Sequence, residues 1–486
     1  MIGIINIKIS RPYWLASVLL VIFIPLLIFG KSTPKEYKPE YSNSQISRSP
    51  QHPNTDNPYH HIAAAIHLQT PISGGKRSLN DYLQLAKQHE IGILIITDHD
   101  NQHYEYGIWP FRWLLKKTFE EASVFKYGVE NYFSLLKQAG SSSQPEADLP
   151  QAQGSKKKTA SDNDVLVIDG VESMPFYYWG GSYFKKNLSL NDRGKHLLVI
   201  GLNDINAYKN LPLIANGKSR FNQYNGSQGY APYQDLIDYV NSKGGLIFWS
   251  HPEAKESKLI SGIKINTLAY PEAIKATTNY TGFGIFWEGY QKIGLPNGIW
   301  DNVLKEYCDG RRSKPVWAIG ELDDYGEKEI NKLLTVLLLK QKSYQTAIDA
   351  LRNGKMYTVL KAQQQDYPPL MLDDFCLYNI AQQSIAYSGD ELLTSSTPII
   401  KIRISQKENK TDNQSNQKNN VNKHMVTLKI IRQGIVIREI NQSLPLTLNF
   451  KDNYSPKHGE RIYYRLEATD EKGGRLISNP IFVRFQ

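Results

Sequence analysis

Cysteine is nearly absent from this chain of 486 residues: only Cys308 and Cys376 occur, far apart and without a Cys-x-x-Cys spacing. That excludes a thiolate zinc site and a disulfide framework. A dense basic stripe is also missing. The formal charge is +10, and residues 401–486 supply most of it, with 16 basic against 8 acidic side chains. Spread this thinly, the charge makes a solvated, mildly basic surface, and nucleic acid is not an expected partner. No internal repeat with a period of about 20 to 50 residues is present, which excludes solenoid architectures. Charge is missing altogether from residues 14–30, an apolar run of 17 that includes Pro25 and follows Lys8 and Arg11. Such a run lies at the short edge of what spans a bilayer. Residues 1–30 are therefore expected to be a membrane anchor or signal segment. Retention as an anchor is favoured because the run is long for a signal peptide. Lys31, Lys35 and Lys38 on the far flank orient it weakly, and the soluble part is expected outside the cytoplasm.

Residues 31–58 are rich in Ser, Pro, Asn and Lys without periodicity, which reads as a flexible tether. Apolar strands then alternate with helical stretches over residues 59–365, at 62–68, 79–89, 93–97, 111–115, 132–138, 165–168, 197–202, 233–242, 246–249, 285–287, 316–319 and 344–353. This alternation predicts an α/β domain with a largely parallel sheet or barrel. Residues 140–164, polar and rich in Ser, Gln and Lys, read as a disordered insertion. Over 366–486 the helical signals stop. Short alternating runs at 426–432, 434–440, 446–450, 462–468 and 480–485 predict an antiparallel β-sandwich, with polar residues 407–423 forming a loop inside it.

Chemistry gathers at strand ends. The run Ile93-Leu94-Ile95-Ile96 leads straight into Thr97-Asp98-His99-Asp100. Burying such a cluster costs several kcal/mol unless a partner is present, so it points to a metal or a substrate. Upstream, Ala63, Ala65, His67 and Gln69 share one face of a strand by alternation. Further along, Val165-Leu166-Val167-Ile168 leads through Gly170 to Glu172, a strand ends in Ser250-His251-Pro252, and Gly320 is followed by Glu321-Leu322-Asp323-Asp324. Polar ligand types after separate strands are what a barrel mouth collects. His196 is an exception, because it precedes its strand.

In that order these boxes resemble the polymerase and histidinol phosphatase (PHP) superfamily. The resemblance spans about residues 59–360 and rests on His67-x-Gln69-Thr70-x-x-Ser73-Gly74-Gly75, Thr97-Asp98-His99, Gly170-x-Glu172, His196, Ser250-His251-Pro252 and Gly320-x-x-Asp323-x-Tyr325. It implies a distorted (β/α)7 TIM-like barrel that binds one to three divalent ions, Zn, Mn or Fe, and hydrolyses a small phosphate ester by a metal-activated water. The positions that match ligands are His67, His99, Glu172, His196, His251 and Asp323, with Glu172 bridging and Glu172, Asp323 and His251 as the catalytic set. Weaker or supporting candidates are Gln69, Asp98, Asp100, His103, Glu105, Asp324 and Tyr325, and Lys76 or Arg77 is a candidate for binding phosphate. The chain departs from the family pattern at Gln69, Gly74 and Tyr325, where histidine, aspartate and histidine are expected. The alternative is therefore a catalytically degenerate binding or scaffold module at the cell envelope.

Overall fold

Seven short strands form the centre: β1 (His60–Leu68), β2 (Ile93–Ile96), β3 (Leu166–Ser173), β4 (Leu197–Ile200), β5 (Leu246–Trp249), β6 (Gly282–Gly284) and β7 (Trp317–Ile319), neighbours in that order. In this computed structural model residues 57–140, 164–202, 204–364, 367–407 and 424–486 are described. Residues 1–30, and nearly all of 31–58, 140–164 and 407–423, lie outside them. Among the described residues no helix is long and apolar enough to cross a membrane. The strands are near-continuous aliphatic runs such as Ile93-Leu94-Ile95-Ile96, all fully buried, as strands covered on both faces require.

The sheet is less parallel than the alternation of elements predicts. β1–β2, β2–β3, β5–β6 and β6–β7 are parallel pairs, but β4 runs antiparallel to both β3 and β5. The reason is local. A parallel return needs a crossover of a dozen or so residues, usually a helix. Between β3 and β4 the chain makes only the short strands Tyr178–Gly180 and Ser189–Asn191, so it comes back reversed. Just past β7, the Leu322 and Asp324 amides donate to the carbonyls of Ile66 and His67 at 2.8 and 3.1 Å, and Gln69 N–H donates to the Asp324 carbonyl at 2.9 Å. These bonds bring the two ends of the seven-strand path together.

Amphipathic helices cover the strands. α1 (Leu79–Gln88) opens on a Ser78/Asp81 capping box and buries Tyr82 and Ala86. α2 (Val129–Gly140), α3 (Ala231–Ser242), α4 (Ile299–Cys308) and α5 (Tyr344–Asn353) bury their apolar stripes in the same core. Two further strands, β8 (Leu333–Leu339) and β9 (Met356–Leu360), continue antiparallel from β1 and carry the sheet into the C-terminal strand Arg475–Ser478. There, strands such as Met425–Arg432 and Arg461–Asp470 face Leu370–Asn379 and Ile399–Gln406 across one apolar core, the two-sheet packing of a sandwich. A fully buried ion pair fastens α4 to this region: Arg465 Nη2 lies 2.7 Å from Asp301 Oδ2, and Arg465 Nε donates to Asp301 Oδ1 at 2.8 Å.

Beside the centre, the strands Tyr178–Gly180, Ser189–Asn191, Glu256–Ile260 and Ile263–Thr267 form a separate four-stranded sheet. The hairpin His103–Gly107/Lys116–Glu120 packs on it through Tyr104, Met174, Tyr177, Trp179, Leu190 and Ile265. Residues 111–115, which the sequence suggests are an element of the α/β core, lie instead in the exposed loop of this hairpin.

Candidate metal centre

Reversal of β4 explains His196. In an antiparallel strand the amino end lies beside the carboxyl ends of its neighbours, and Leu197 accordingly pairs with Ser173 of β3 and Trp249 of β5. His196 thus arrives at the same rim as Glu172, at the end of β3, and His251, just after β5. His99 reaches that rim through an isolated bridge with Glu172, flanked by Glu172 N–H to Asp98 O and Asp100 N–H to Glu172 O, both 3.0 Å. His67, His251 and Asp323 take left-handed backbone angles, with φ of 70°, 31° and 46°. Non-glycine residues there cost roughly 1–3 kcal/mol each and persist where the surroundings over-determine them, characteristically at functional sites.

Glu172 is the hub. Its Oε2 lies 3.0 Å from His67 Nε2 and 3.3 Å from His99 Nδ1, and its Oε1 lies 2.7 Å from His196 Nδ1 and 3.2 Å from His251 Nε2. Asp323 Oδ1 approaches His67 Nε2 at 3.6 Å. The other nitrogen of each ring is engaged outward. His67 Nδ1 faces Glu321 Oε2 at 3.1 Å, and His196 Nε2 faces the Arg193 carbonyl at 2.8 Å. His251 Nδ1 is 3.3 Å from the Tyr270 hydroxyl, whose own hydrogen goes to the Ser250 carbonyl at 2.6 Å. His99 Nε2 meets the Tyr325 hydroxyl at 2.8 Å.

Those outward partners fix the tautomers. A carboxylate and a carbonyl only accept, so His67 Nδ1 and His196 Nε2 carry the hydrogens, as does His251 Nδ1 opposite an oxygen whose proton is already committed. In the neutral rings the inner nitrogens therefore turn lone pairs toward the Glu172 oxygens, an arrangement that requires a cation or a proton between them. Without an ion, protons occupy such positions at His67 and His251. Burial pushes His99 down to about 4; Glu172 opposes this, and His196 and His67 reinforce it. Burial also acts against a charged His251, but its hydrogen bond to Glu172 and the charge of Asp323 lift it to about 9. His67 rises well above its usual range, since Glu172 and Asp323 outweigh burial. Burial likewise acts to raise Glu172, and the imidazoles of His99, His67 and His196 hold it well below the carboxylate range.

Once His67 and His251 give up their protons, imidazoles converging on a shared carboxylate are the donor set of Zn, Mn or Fe. Two groups each bring three ligand atoms within 4.8 Å of one another, His99–Glu172–His196 and His67–Glu172–Asp323, and Glu172 belongs to both. The residues present fit a pair of divalent ions sharing one carboxylate.

The supporting candidates divide. Gln69 does not offer its carbonyl to the cluster: that oxygen accepts from His99 N–H at 3.3 Å and from the Ser73 hydroxyl, while Nε2 donates to Glu172 Oε2 at 2.5 Å. Asp98 ties down the turn after β1, accepting from Thr70 N–H at 2.7 Å and Ser73 Oγ at 2.6 Å. Asp100 is buried, raised to about 7 by burial against the hydrogen bond from Ser173. Tyr325 caps His99, and burial together with Glu172 and Asp323 keeps its phenol protonated. Asp324 faces away from the cluster, pairing with Arg77 at 2.9 Å and accepting the amides of Gly326, Glu327 and Lys328. His103 and Glu105 sit on the neighbouring hairpin, where Glu105 pairs with Lys116 at 2.7 Å.

Lys76 and Arg77 are not among the residues that line the cleft over the cluster. Lys76 pairs with Glu327, and Arg77 is held by Asp324 and the Lys328 carbonyl. The cations on the cleft are others. A cleft of about 280 Å³ over the cluster is lined by His99, Glu172, His196, His251 and Asp323 and by Arg193, Lys255 and Lys258. Glu321 and Ser250 lie inside the sequence boxes without a role assigned to them there, and Tyr270 lies in none of the boxes. Alternation along the chain past β7 was the available signal for Glu321, since it shares a side with Asp323.

No family model and no curated protein matches the chain. Among solved structures it is similar to a two-domain protein of Bacteroides vulgatus containing a predicted PHP-like metal-dependent phosphoesterase, at 12% identity, over 91% of this chain and 100% of that one, with a TM-score of 0.36. It is also similar to PsfC of Pseudomonas syringae, at 12% identity, over 62% and 93%, with a TM-score of 0.28.

Proposed function

We propose that this chain is a metal-dependent phosphoesterase of the PHP type, built on a distorted (β/α)7 barrel with an accessory β-sandwich and tethered to a membrane, outside the cytoplasm, by residues 1–30. The observation that carries the reading is the convergence of ring nitrogens: outward partners at His67, His196 and His251 turn the inner nitrogen of each ring toward one buried carboxylate. His99, His196 and Glu172 would hold one divalent ion and His67, Glu172 and Asp323 the other, with His251 beside Oε1. Bound there, such ions supply Lewis-acid stabilisation of a phosphoryl oxygen and ease deprotonation of water.

The protein's own groups do the rest. Lys255 on the cleft presents a cation to a phosphate, and Arg193, held by Glu256 at 3.2 Å and Glu121 at 3.4 Å, would share its guanidinium between them and the phosphate. Asp323 has a carboxylate one-third exposed, at 33%, whereas Glu172 is buried, so Asp323 is the group placed to take a proton from an attacking water. Tyr325 holds the His99 ring in place. A degenerate binding module is the second reading, and one observation favours it: the Gln69 amide occupies Glu172 Oε2 where a family member would present an imidazole.

The test is the metal content of the purified full chain together with turnover of p-nitrophenyl phosphate. Near-stoichiometric metal, with turnover lost in His99→Ala and Asp323→Ala, supports the enzyme. Less than about a tenth of an equivalent, with no turnover when Mn or Zn is supplied, selects the degenerate module, because a working site of this kind needs near-full occupancy.

A further inference from the structure

Away from the metal centre, large apolar side chains stand in water at three loop tips. The loop between strands His103–Gly107 and Lys116–Glu120 exposes Trp109 (75%), Phe111, Trp113 (76%), Leu114 and Leu115. The loop after Tyr178–Gly180 exposes Tyr183 and Phe184, and the turn joining Glu256–Ile260 to Ile263–Thr267 exposes Leu259 and Ile260. Scattered apolar residues on a surface need no explanation, but a contiguous set marks an interaction site.

Register places the tips at one end. Lys264 pairs with Ser189 in parallel and its amide donates to the Leu188 carbonyl at 3.0 Å, so the 261–262 turn and the 181–188 loop leave the four-stranded sheet together. Tyr104 meets Tyr177 and Tyr106 meets Trp179, with ring centroids 5.2 and 5.0 Å apart. The hairpin therefore tracks strand Tyr178–Gly180 in the same direction, and its tip joins the other two. The opposite ends of these strands reach the cleft at Tyr104, Arg193 and Thr267.

Charge at the tips has one sign. Residues 107–117 hold Arg112, Lys116 and Lys117, residues 181–188 hold Lys185 and Lys186, and residues 259–264 hold Lys264, with no acidic residue in any of the three segments, Lys116 being paired with Glu105 on its own hairpin at 2.7 Å. Protein–protein interfaces deplete charge, lysine above all, at their apolar centres. Aromatic rings interleaved with lysine and arginine are instead the chemistry of a bilayer headgroup layer, where rings sit at the interface and cations meet anionic lipid.

We propose that this end of the molecule docks on an anionic lipid bilayer, inserting the three tips into the headgroup layer, independently of residues 14–30 and of the metal centre. The experiment uses the full chain with phosphatidylcholine vesicles carrying brominated acyl chains, with or without phosphatidylserine, and follows tryptophan fluorescence. Trp109→Phe/Trp113→Phe removes two of the eight tryptophans and keeps the tip apolar. The expected result is quenching on phosphatidylserine vesicles that drops in this variant, while Trp14 contributes equally to both proteins. Lys117→Gln, Lys185→Gln and Lys186→Gln each weaken binding about fivefold, from about 1 kcal/mol per charge near such a surface. Vesicle-induced hydrogen-exchange protection of residues 107–117 in the wild type checks the same contact without a variant. Equal quenching in wild type and the Phe variant without that protection, or equal quenching on neutral and anionic vesicles, overturns the proposal; the first gives the face to a protein partner. Metal content and turnover stay unchanged in all these variants, since none of their residues lines the cleft, so this result is separable from the enzymatic one.

Discussion

Glu321→Gln isolates the tautomer argument, because it keeps the side chain's shape and removes one acceptor. Glu321 is buried; its Oε1 accepts the His251 amide at 2.5 Å, and its Oε2 accepts Ser250 Oγ at 2.8 Å and His67 Nδ1 at 3.1 Å. In the variant the new NH2 cannot face the His251 amide, where two donors would collide, so it takes the Oε2 position. The Ser250 hydroxyl can rotate to accept from it. His67 must move its hydrogen from Nδ1 to Nε2, where it donates to Glu172 Oε2 across the existing 3.0 Å. The ring is then a donor where it had been a ligand. Loss of such a supporting partner costs about 10- to 100-fold in metal affinity, or about 1.4–2.8 kcal/mol. Stability of the metal-free protein should change little, since a hydrogen bond to a carboxylate replaces the one lost. Calorimetric titration of the metal-free full chain with Zn or Mn measures the affinity, and ¹⁵N chemical shifts of His67 report its tautomer. Affinity within about threefold of wild type, with His67 still protonated at Nδ1, refutes the reasoning. Glu321→Ala provides the contrast. It strands the His251 amide and the Ser250 hydroxyl, so it lowers stability as well as affinity.

Three further outcomes are expected. Arg193→Ala should raise KM for a phosphomonoester about 10- to 100-fold and leave kcat nearly unchanged, from about 1.5–3 kcal/mol for a charge-assisted hydrogen bond; steady-state kinetics that show the loss in kcat instead would remove Arg193 from substrate binding. His61 is lowered from 6.5 to about 4, by burial first and then by Arg403 and His60. Its unfolded form takes up a proton first, so the stability it confers is present above pH 6.5 and is lost as the pH falls toward 4, about 3 kcal/mol in all. Urea unfolding should show His61→Gln without that part of the acid loss. Arg465→Met leaves Asp301 buried without its cation and should cost about 3–5 kcal/mol, whereas Arg465→Met/Asp301→Leu should recover most of it in denaturant titration.

Much of the site was readable because its ligands follow strands. His67, His99, Glu172 and His251 each sit where an aliphatic run stops, and those runs are visible in sequence. His196 resisted that rule, and the structure shows the rule was sound but the strand was reversed. Strand direction depends on whether a helix fits between β3 and β4, and the bland stretch 174–195 carries no periodicity that answers this. Side chains flanking the ligand boxes were harder, Arg193 standing three residues before His196 and Lys255 four after His251. Arg193 and Lys255 reach the cleft from loops whose course is set by the neighbouring four-stranded sheet, whereas Lys76 and Arg77, adjacent to a ligand box in sequence, are claimed by Glu327 and Asp324. Gln69 shows a different limit. Its side chain has two ends, and the His99 amide, a donor, together with the Glu172 carboxylate, an acceptor, decides which faces Glu172. Apolar runs also mislead when they are not core: residues 111–115 look like a packed element and are a solvent-exposed tip.

The C-terminal strands share a sheet with β8 and β9, and Arg465 reaches through to Asp301 on α4. A gene divided near position 365 would therefore not yield two working proteins. Its first product would present β9 as a raw edge, open to pairing with any extended chain, and would uncover the face of α4 that Arg465 and Tyr463 cover at Asp301. Whatever lineage assembled this chain had to keep the two halves on one message, and fragments made for crystallisation or inhibitor screening should retain both.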